Sequence, residues 1–333
     1  MRDMTLGRRD FVRLGILTGI FAMSGCSFPS GRGVLGLPKG ILPREFLQAL
    51  PSRWKYQFLE VKSEKDFYKS ALEKRMDLVV IGDGWLNDCP YEEFQSIEAD
   101  ENFPQLNSKA KFFLSSMNSA ISSRLLPIAV SPWVLIFRGE EGLWLQAQES
   151  WQVLLEPKLK GHVILPSSPR VIMSLADHMK GSNSLELLRS QAKSFDDKNG
   201  LNWLLAGQAK VAVLPLQVCL RSLASDPRLR IAFPKEGSAL NWSVLLRPKK
   251  SLEALPLNWI QEARSLPLLV KLLAKGVIPP IAYPQIVEVS DLLPEKYRSI
   301  YKSEEAFENS WSFKPLSNLE RKGLESRWLS SAP

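Results

Sequence analysis

Along most of the chain the apolar positions switch between a helical and a strand period. S-E-K-D at 63–66 reads as the start of a capping box, and Phe67, Ala71 and Leu72 follow on one helical face. The run M-D-L-V-V-I from Met76 is a short apolar strand that stops at Gly82-Asp83-Gly84. Residues 112–125 read as a helix. Strand segments at 128–130 and 134–137 flank Ser131-Pro132-Trp133. Ser150 caps a short helix to Leu155, Gly161 turns the chain into a strand at 162–165, and Pro166-Ser167-Ser168-Pro169 punctuates it. Helices are predicted over 170–179, 184–195, 201–205 and 217–223, and strands over 210–214, 229–233 and 242–246. Two more helices are predicted over 259–264 and 267–275. This alternation predicts an α/β protein with mostly parallel sheets. In such sheets ligands bind outside the carboxyl ends of the strands.

The first 26 residues break this pattern. Arg8 and Arg9 precede an apolar run over 14–25, which ends at Cys26. That run is shorter than the ~20 residues a membrane-spanning helix needs, and has the layout of a secretion signal: a basic region, a short apolar region, then small residues. Arg8-Arg9-Asp10-Phe11-Val12-Arg13 resembles the twin-arginine export motif, and Met23-Ser24-Gly25-Cys26 resembles a bacterial lipobox. The expectation is a signal peptide at 1–25, lipidation of Cys26, a Gly/Pro/Ser-rich tether over 26–40, and a lipoprotein on the periplasmic side of a membrane.

The 333 residues exceed a typical single core, and 45% of them are apolar, which predicts two packed lobes. The net charge of +8 is spread along the chain without a basic tract, which argues against nucleic-acid binding. Cys89 and Cys219 follow Cys26 without a CxxC motif and read as free, partly buried thiols. Two histidines, His162 and His178, have no metal-ligand spacing, so neither a metal site nor a Ser-His-Asp triad is expected, and no cofactor.

The stretch SWQVLLEPKLKGHVILPSSPR from Ser150 resembles the S-W…P-x-x-K-G segment of bacterial extracellular solute-binding proteins of ABC importers, the spermidine/putrescine-binding branch above all. In the same order, Met76-Asp77-Leu78-Val79-Val80 resembles that family's Y-D strand. Pro127-Ile128-Ala129 sits where it has a Pro before the hinge strand, Ala206-Gly207-Gln208-Ala209-Lys210-Val211 resembles its helix-to-strand step, and Phe233-Pro234-Lys235-Glu236-Gly237 its P-x-E-G segment. The resemblance spans about Asp77 to Pro248. It implies a two-lobed, type II periplasmic-binding fold with the ligand in the cleft. Lobe one would comprise 41–130, lobe two 131–242, and 243–333 would return to lobe one. It also implies a monomeric, non-enzymatic partner of a membrane permease, closing on its solute by hinge motion.

The chain departs from the family at the ligand positions. Polyamine sites need carboxylates and aromatic faces. Where the family has an acid after the K-G strand, this chain has Ser167, Ser168 and Arg170; where it has an aromatic and an acid after E-G, this chain has Asn241 and Ser243 around Trp242. Among these loops Asp83 is the remaining carboxylate. The candidate ligand residues are therefore Asp83 as a cation partner, Trp85, Trp133 and Trp242 as apolar walls, and Ser131, Ser167, Ser168, Gln217, Asn241 and Ser243 as hydrogen-bonding groups. Arg170 is the partner for an anion. A polyamine-like solute is what the resemblance implies. The residues themselves leave open a neutral or anionic solute, or a membrane-anchored interaction protein with a degenerate pocket. The charged, aromatic region beyond Val287 (Tyr297, Tyr301, Phe307, Trp311, Phe313, Trp328) reads either as a docking surface or as a wrap around lobe one.

Overall fold

Ten strands organise the chain: β1 (Gly33–Leu37), β2 (Trp54–Phe58), β3 (Leu78–Gly82), β4 (Phe94–Gln95), β5 (Leu126–Arg138), β6 (Val163–Leu165), β7 (Ala192–Phe195), β8 (Val211–Pro215), β9 (Leu229–Ala232) and β10 (Leu240–Pro248). The computed structural model describes residues 32–60, 63–97, 104–223 and 225–332. Arg8, Arg9 and Cys26 lie outside the described residues.

The strands run in the order β2-β1-β3-β10-β5-β8-β6-β7, with β4 on β10 and β9 on β5. β5 belongs to both halves. Its residues 126–132 pair with β10, and its residues 133–138 pair with β8 and β9. Every residue of β5 but the last is buried, as expected of a strand covered on both faces. Two of the apolar clusters lie one to each half. One, with Leu35, Phe46, Leu78 and Trp259, fills the space behind β1 and β3. The other, with Phe137, Trp151, Leu165 and Leu188, lies behind β6 and β8.

Several expectations are corrected. The sheet is mixed rather than mostly parallel: β1–β2, β1–β3, β6–β7 and β6–β8 are parallel, while β10 and β5 run antiparallel to their neighbours. The strands that join the two halves cause this, because they run against the direction of the strands they pass between. The two strand segments around Pro132 are one strand of 13 residues. Within the tether expected over 26–40, residues 33–37 form the strand β1 instead. Gly33 and Gly36 leave room there for Trp54 and Met76, whose side chains stand 2.7 Å and 2.8 Å from where a Cβ would be.

The helix expected over 112–125 is two helices, Ser108–Ser115 and Ser119–Ser122, because Asn118 caps the second by accepting from Ile121 N at 3.0 Å. The helix expected over 184–195 stops at Gln191, and the chain then turns extended into β7, which pairs in parallel with β6.

The motif segments that carry the family resemblance are bound to each other. Ser150 Oγ donates to Glu236 Oε1 at 2.8 Å, Trp151 N donates to Glu236 Oε2 at 2.9 Å, and Trp151 Nε1 donates to Gly237 O at 2.7 Å. Burying Trp151 is possible because its indole N–H and the loop carbonyl satisfy each other.

The C-terminal region does not stay on lobe one. Tyr297, Tyr301 and Phe307 are buried in a cluster that holds Phe67 and Val79 of the first half and Ile164 and Leu214 of the second, and Trp311, Phe313 and Trp328 pack on the cluster of the second. The final helix, Asn318–Ser330, starts with a full capping box at Ser317 and Glu320 and pairs Arg327 with Asp177. The crossing segment is pinned by Trp311 N donating to Ser238 O at 2.9 Å and Leu240 N donating to Trp311 O at 2.8 Å.

Gly237 makes that crossing possible. Its φ is +85°, and a Cβ there would stand 2.3 Å from the carbonyl carbon of Asn309. Gly139 has a similar φ of +78° with open space around it. Gly237→Ala is expected to cost ~2–4 kcal/mol in denaturant unfolding, and Gly139→Ala only ~1 kcal/mol, the difference being the backbone clash.

Candidate functional site

A cavity of about 400 Å³ opens where the two halves meet. It is lined by Asp83 and Gly84 after β3, Trp133 of β5, Leu240 and Asn241 of β10, Ser168, Arg170 and Val171 at the start of the helix Pro169–Asp177, and Phe313, Leu316 and Arg321 of the C-terminal crossing. Glu64, Asn87 and Asp88 complete it. A larger hollow of about 620 Å³ lies beside Met76 and Lys250. Of its carboxylates, Glu73, Asp77 and Glu253, Asp77 is committed to structure: Oδ2 accepts from Val34 N at 2.9 Å and Oδ1 from Ser251 Oγ at 3.2 Å.

The structure brings five of the eleven expected residues to the cavity: Asp83, Trp133, Ser168, Arg170 and Asn241. The other six are not among its lining residues. Trp85 packs edge-on against Phe67 at 5.3 Å, and its carbonyl accepts from Tyr68 Oη at 2.9 Å. Trp242 is fully buried, stacked on Phe113 at 5.3 Å, and donates from Nε1 to Ser312 Oγ at 2.8 Å. Ser131 Oγ accepts from Gln217 N at 3.0 Å, which ties β5 to the helix Leu216–Leu223. Ser167 donates through both N and Oγ to Asp197 Oδ1, at 2.7 Å and 2.5 Å. Ser243 lies in the sheet opposite Gly82 and Ala129, and donates to Ile41 O at 3.5 Å.

Asp83 is 8% exposed, and its Oδ2 has no hydrogen-bond partner among the described residues. Burial pushes its carboxyl up to about 7, against the pull of the Trp242 and Gly84 backbone N–H groups and of the Arg170 charge. Arg170 lies across the cavity. Its Nη2 donates to Lys314 O at 2.8 Å, and its guanidinium carbon stands 4.6 Å from the centroid of the Phe313 ring. Burial lowers its pKa, and Asp83 and Glu320 oppose that.

Sequence reasoning missed Glu64, Asn87, Asp88, Phe313, Leu316 and Arg321. Burial and a hydrogen bond to Asp88 raise the pKa of Glu64, and Arg321 Nη1 stands 3.9 Å from Asp88 Oδ1. Leu316 N donates to Asn87 Oδ1 at 2.7 Å, which fastens the crossing segment to the loop after β3. The capping pattern at 63–66 marked Glu64 only as a helix start. Phe313 stood out as an aromatic but had no place to be assigned.

No protein-family model and no curated protein matches this chain. Solved structures do match in fold. A spermidine/putrescine ABC transporter substrate-binding protein from Streptococcus pneumoniae superposes with a TM-score of 0.68 at 13% identity, over 91% of this chain and 98% of that one. A periplasmic thiamin binding protein gives 0.63 at 11% identity, over 90% and 96%. Thiaminase I from Bacillus thiaminolyticus gives 0.63 at 11% identity, over 90% and 99%. The chain therefore has the two-lobed α/β fold of type II periplasmic binding proteins, a fold shared by binding proteins and an enzyme.

Asp83 makes stability pH-dependent in a definite direction. Below about pH 4 its carboxyl is protonated in both the folded and the unfolded chain. Between about 4 and 7 the unfolded chain gives up the proton and the folded chain keeps it, so stability falls as pH rises; above the folded pKa the loss is complete. Denaturant unfolding across this range should show wild type losing ~2–4 kcal/mol relative to Asp83→Asn, with no further divergence above about pH 8.

Proposed function

We propose that this chain is the solute-binding component of an ABC importer. It would capture a small solute in the cavity between its lobes, outside the cytoplasm, and hand it to a membrane permease. The observation that carries this is Asp83. A buried carboxylate oxygen without a partner is costly, and it lies on the wall of an open, partly aromatic cavity. A ligand ammonium or other strong donor would remove that cost. A degenerate pocket would have no reason to keep it, which favours a solute binder over an interaction protein on the same fold.

The motif resemblance and the fold shared with a spermidine/putrescine-binding protein suggest an amine-bearing, polyamine-like solute. Trp133 and Phe313 would supply apolar faces to its chain, and the side chains of Glu64 and Asp88 add acidic groups that the sequence reading lacked. Binding without covalent chemistry agrees with the cysteines. Cys89 and Cys219 are both free and buried, and burial pushes the Cys89 thiol up to about 12, far from the thiolate a nucleophile needs. No helix among the described residues is long and apolar enough to cross a membrane. Membrane attachment through a lipid on Cys26, after twin-arginine export signalled by Arg8 and Arg9, fits a monomeric binder held beside its permease.

Thermal denaturation in the presence of millimolar polyamines, amino acids and small anions tests the reading. At least one amine-bearing class should raise the melting temperature. Asp83→Asn should weaken that ligand about tenfold or more, ~1.4 kcal/mol. If no class shifts the transition, the importer reading fails. Cys26→Ser should move the protein from the membrane to the soluble fraction of cells.

A further inference from the structure

The cavity carries a positive end as well as a negative one. The helix Pro169–Asp177 points its first turn at it, with Ser168, Arg170 and Val171 among the lining residues. Ser168, at the N-cap position, makes no side-chain cap, and Pro169 has no N–H to offer. Among the described residues the backbone N–H groups of Arg170 and Val171 have no acceptor, so the positive end of this nine-residue helix is unsatisfied. The Arg170 guanidinium adds a full charge. It commits Nη2 to Lys314 O, is laid over Phe313, and has its remaining N–H groups to spare.

Asp83 shares this cavity with Arg170, and among the described residues no hydrogen bond or salt bridge joins them, although the charge of each acts on the other and Glu320 acts on Arg170 as well. Glu64 and Asp88, the remaining acidic groups of the lining, stand close enough for Asp88 to raise the pKa of Glu64, and Arg321 faces Asp88 at 3.9 Å. What is left without a hydrogen-bond partner among the described residues is one Asp83 carboxylate oxygen, while the Arg170 guanidinium beside the helix N-terminus is held by a single carbonyl, Lys314 O. A diammonium solute can satisfy the first, but sets its second charge against Arg170 or beside Arg321, which already faces Asp88. A solute with one positive and one negative end satisfies both.

We propose that the cavity selects a small zwitterion, with its ammonium at Asp83 and its anionic oxygen group at Arg170 and the first turn of the helix Pro169–Asp177. This rests on the reading of the cavity as a solute site and names the class of solute. Arg170 is then the residue that sets specificity against diamines.

Isothermal titration of the full chain at about pH 8, where Asp83 is ionised, tests this with three probes. Putrescine and 4-aminobutyrate share a four-carbon spacing and differ in the charge of one end; O-phosphoethanolamine tests a phosphate in place of the carboxylate. At least one zwitterion should bind about tenfold or more tighter than putrescine, and the stronger of the two identifies the anionic group. Arg170→Gln should weaken the zwitterion about tenfold and leave putrescine as tight or tighter. Arg170→Lys, which keeps the charge without the planar fork, should lose less, and serves if the first variant does not melt like wild type. Putrescine binding more tightly than both zwitterions overturns the proposal and leaves the solute-binding reading standing. A zwitterion affinity unmoved by Arg170→Gln also overturns it. Absence of binding by all three also overturns it, while the solute-binding reading is decided by the wider thermal screen.

Discussion

A proline has no amide hydrogen, and at position 132 that missing donor falls where β5 leaves one partner and takes another. On the near side Pro132 lies opposite Leu240 of β10; on the far side Trp133 lies opposite Pro215 of β8. An ordinary residue here would have a ladder to continue, whereas the proline lets the strand change sheets without stranding a buried donor. The ends of β3, β8 and β10 converge on this point, and so does the cavity. The junction is held closely: Ser131 accepts from Gln217 N, and Gly276, at φ +72°, leaves the space into which a Cβ would meet Gln217 N at 2.6 Å.

The fold was largely legible in the sequence because buried strands leave short apolar runs and their ends leave Gly, Pro and Ser. Asp83 was legible for the same reason, since Gly-Asp-Gly marks a strand end where a ligand can approach. Side-chain direction was harder to read. Asn241, Trp242 and Ser243 were taken together, yet the two-residue period of a strand puts Asn241 on one face and Trp242 on the other. Only Asn241 reaches the cavity, and Trp242 goes to Phe113. Ser167 and Ser168 look alike in sequence, but Ser167 is taken by Asp197, thirty residues on, which no local pattern announces. Arg170, read as the partner for an anion, reaches the cavity with its helix because Pro169 fixes the first turn.

The motif segments around Ser150 and Glu236 teach a related lesson. They carry a resemblance to a known family, weak in each segment and more specific in the two together, yet their side chains are spent on each other. They preserve the path of the chain into the crossing strand, and so carry information about fold. The proposed solute class rests instead on Asp83, Arg170 and the helix end, which line the cavity.

The C-terminal crossing has a consequence for assembly. Leu316 and Asn87, 229 positions apart in sequence, are joined by a hydrogen bond on the cavity wall. On a ribosome the Asn87 side of that wall is made long before its counterpart, and closing so large a loop is late and entropically expensive. Phe313 and Arg321 likewise come last. The cavity is therefore among the final features to exist, and a chain interrupted before residue 311 would fold much of its sheet with an unfinished site. If the cavity is the solute site proposed above, binding to it would report completion of the molecule, more faithfully than secondary structure content could.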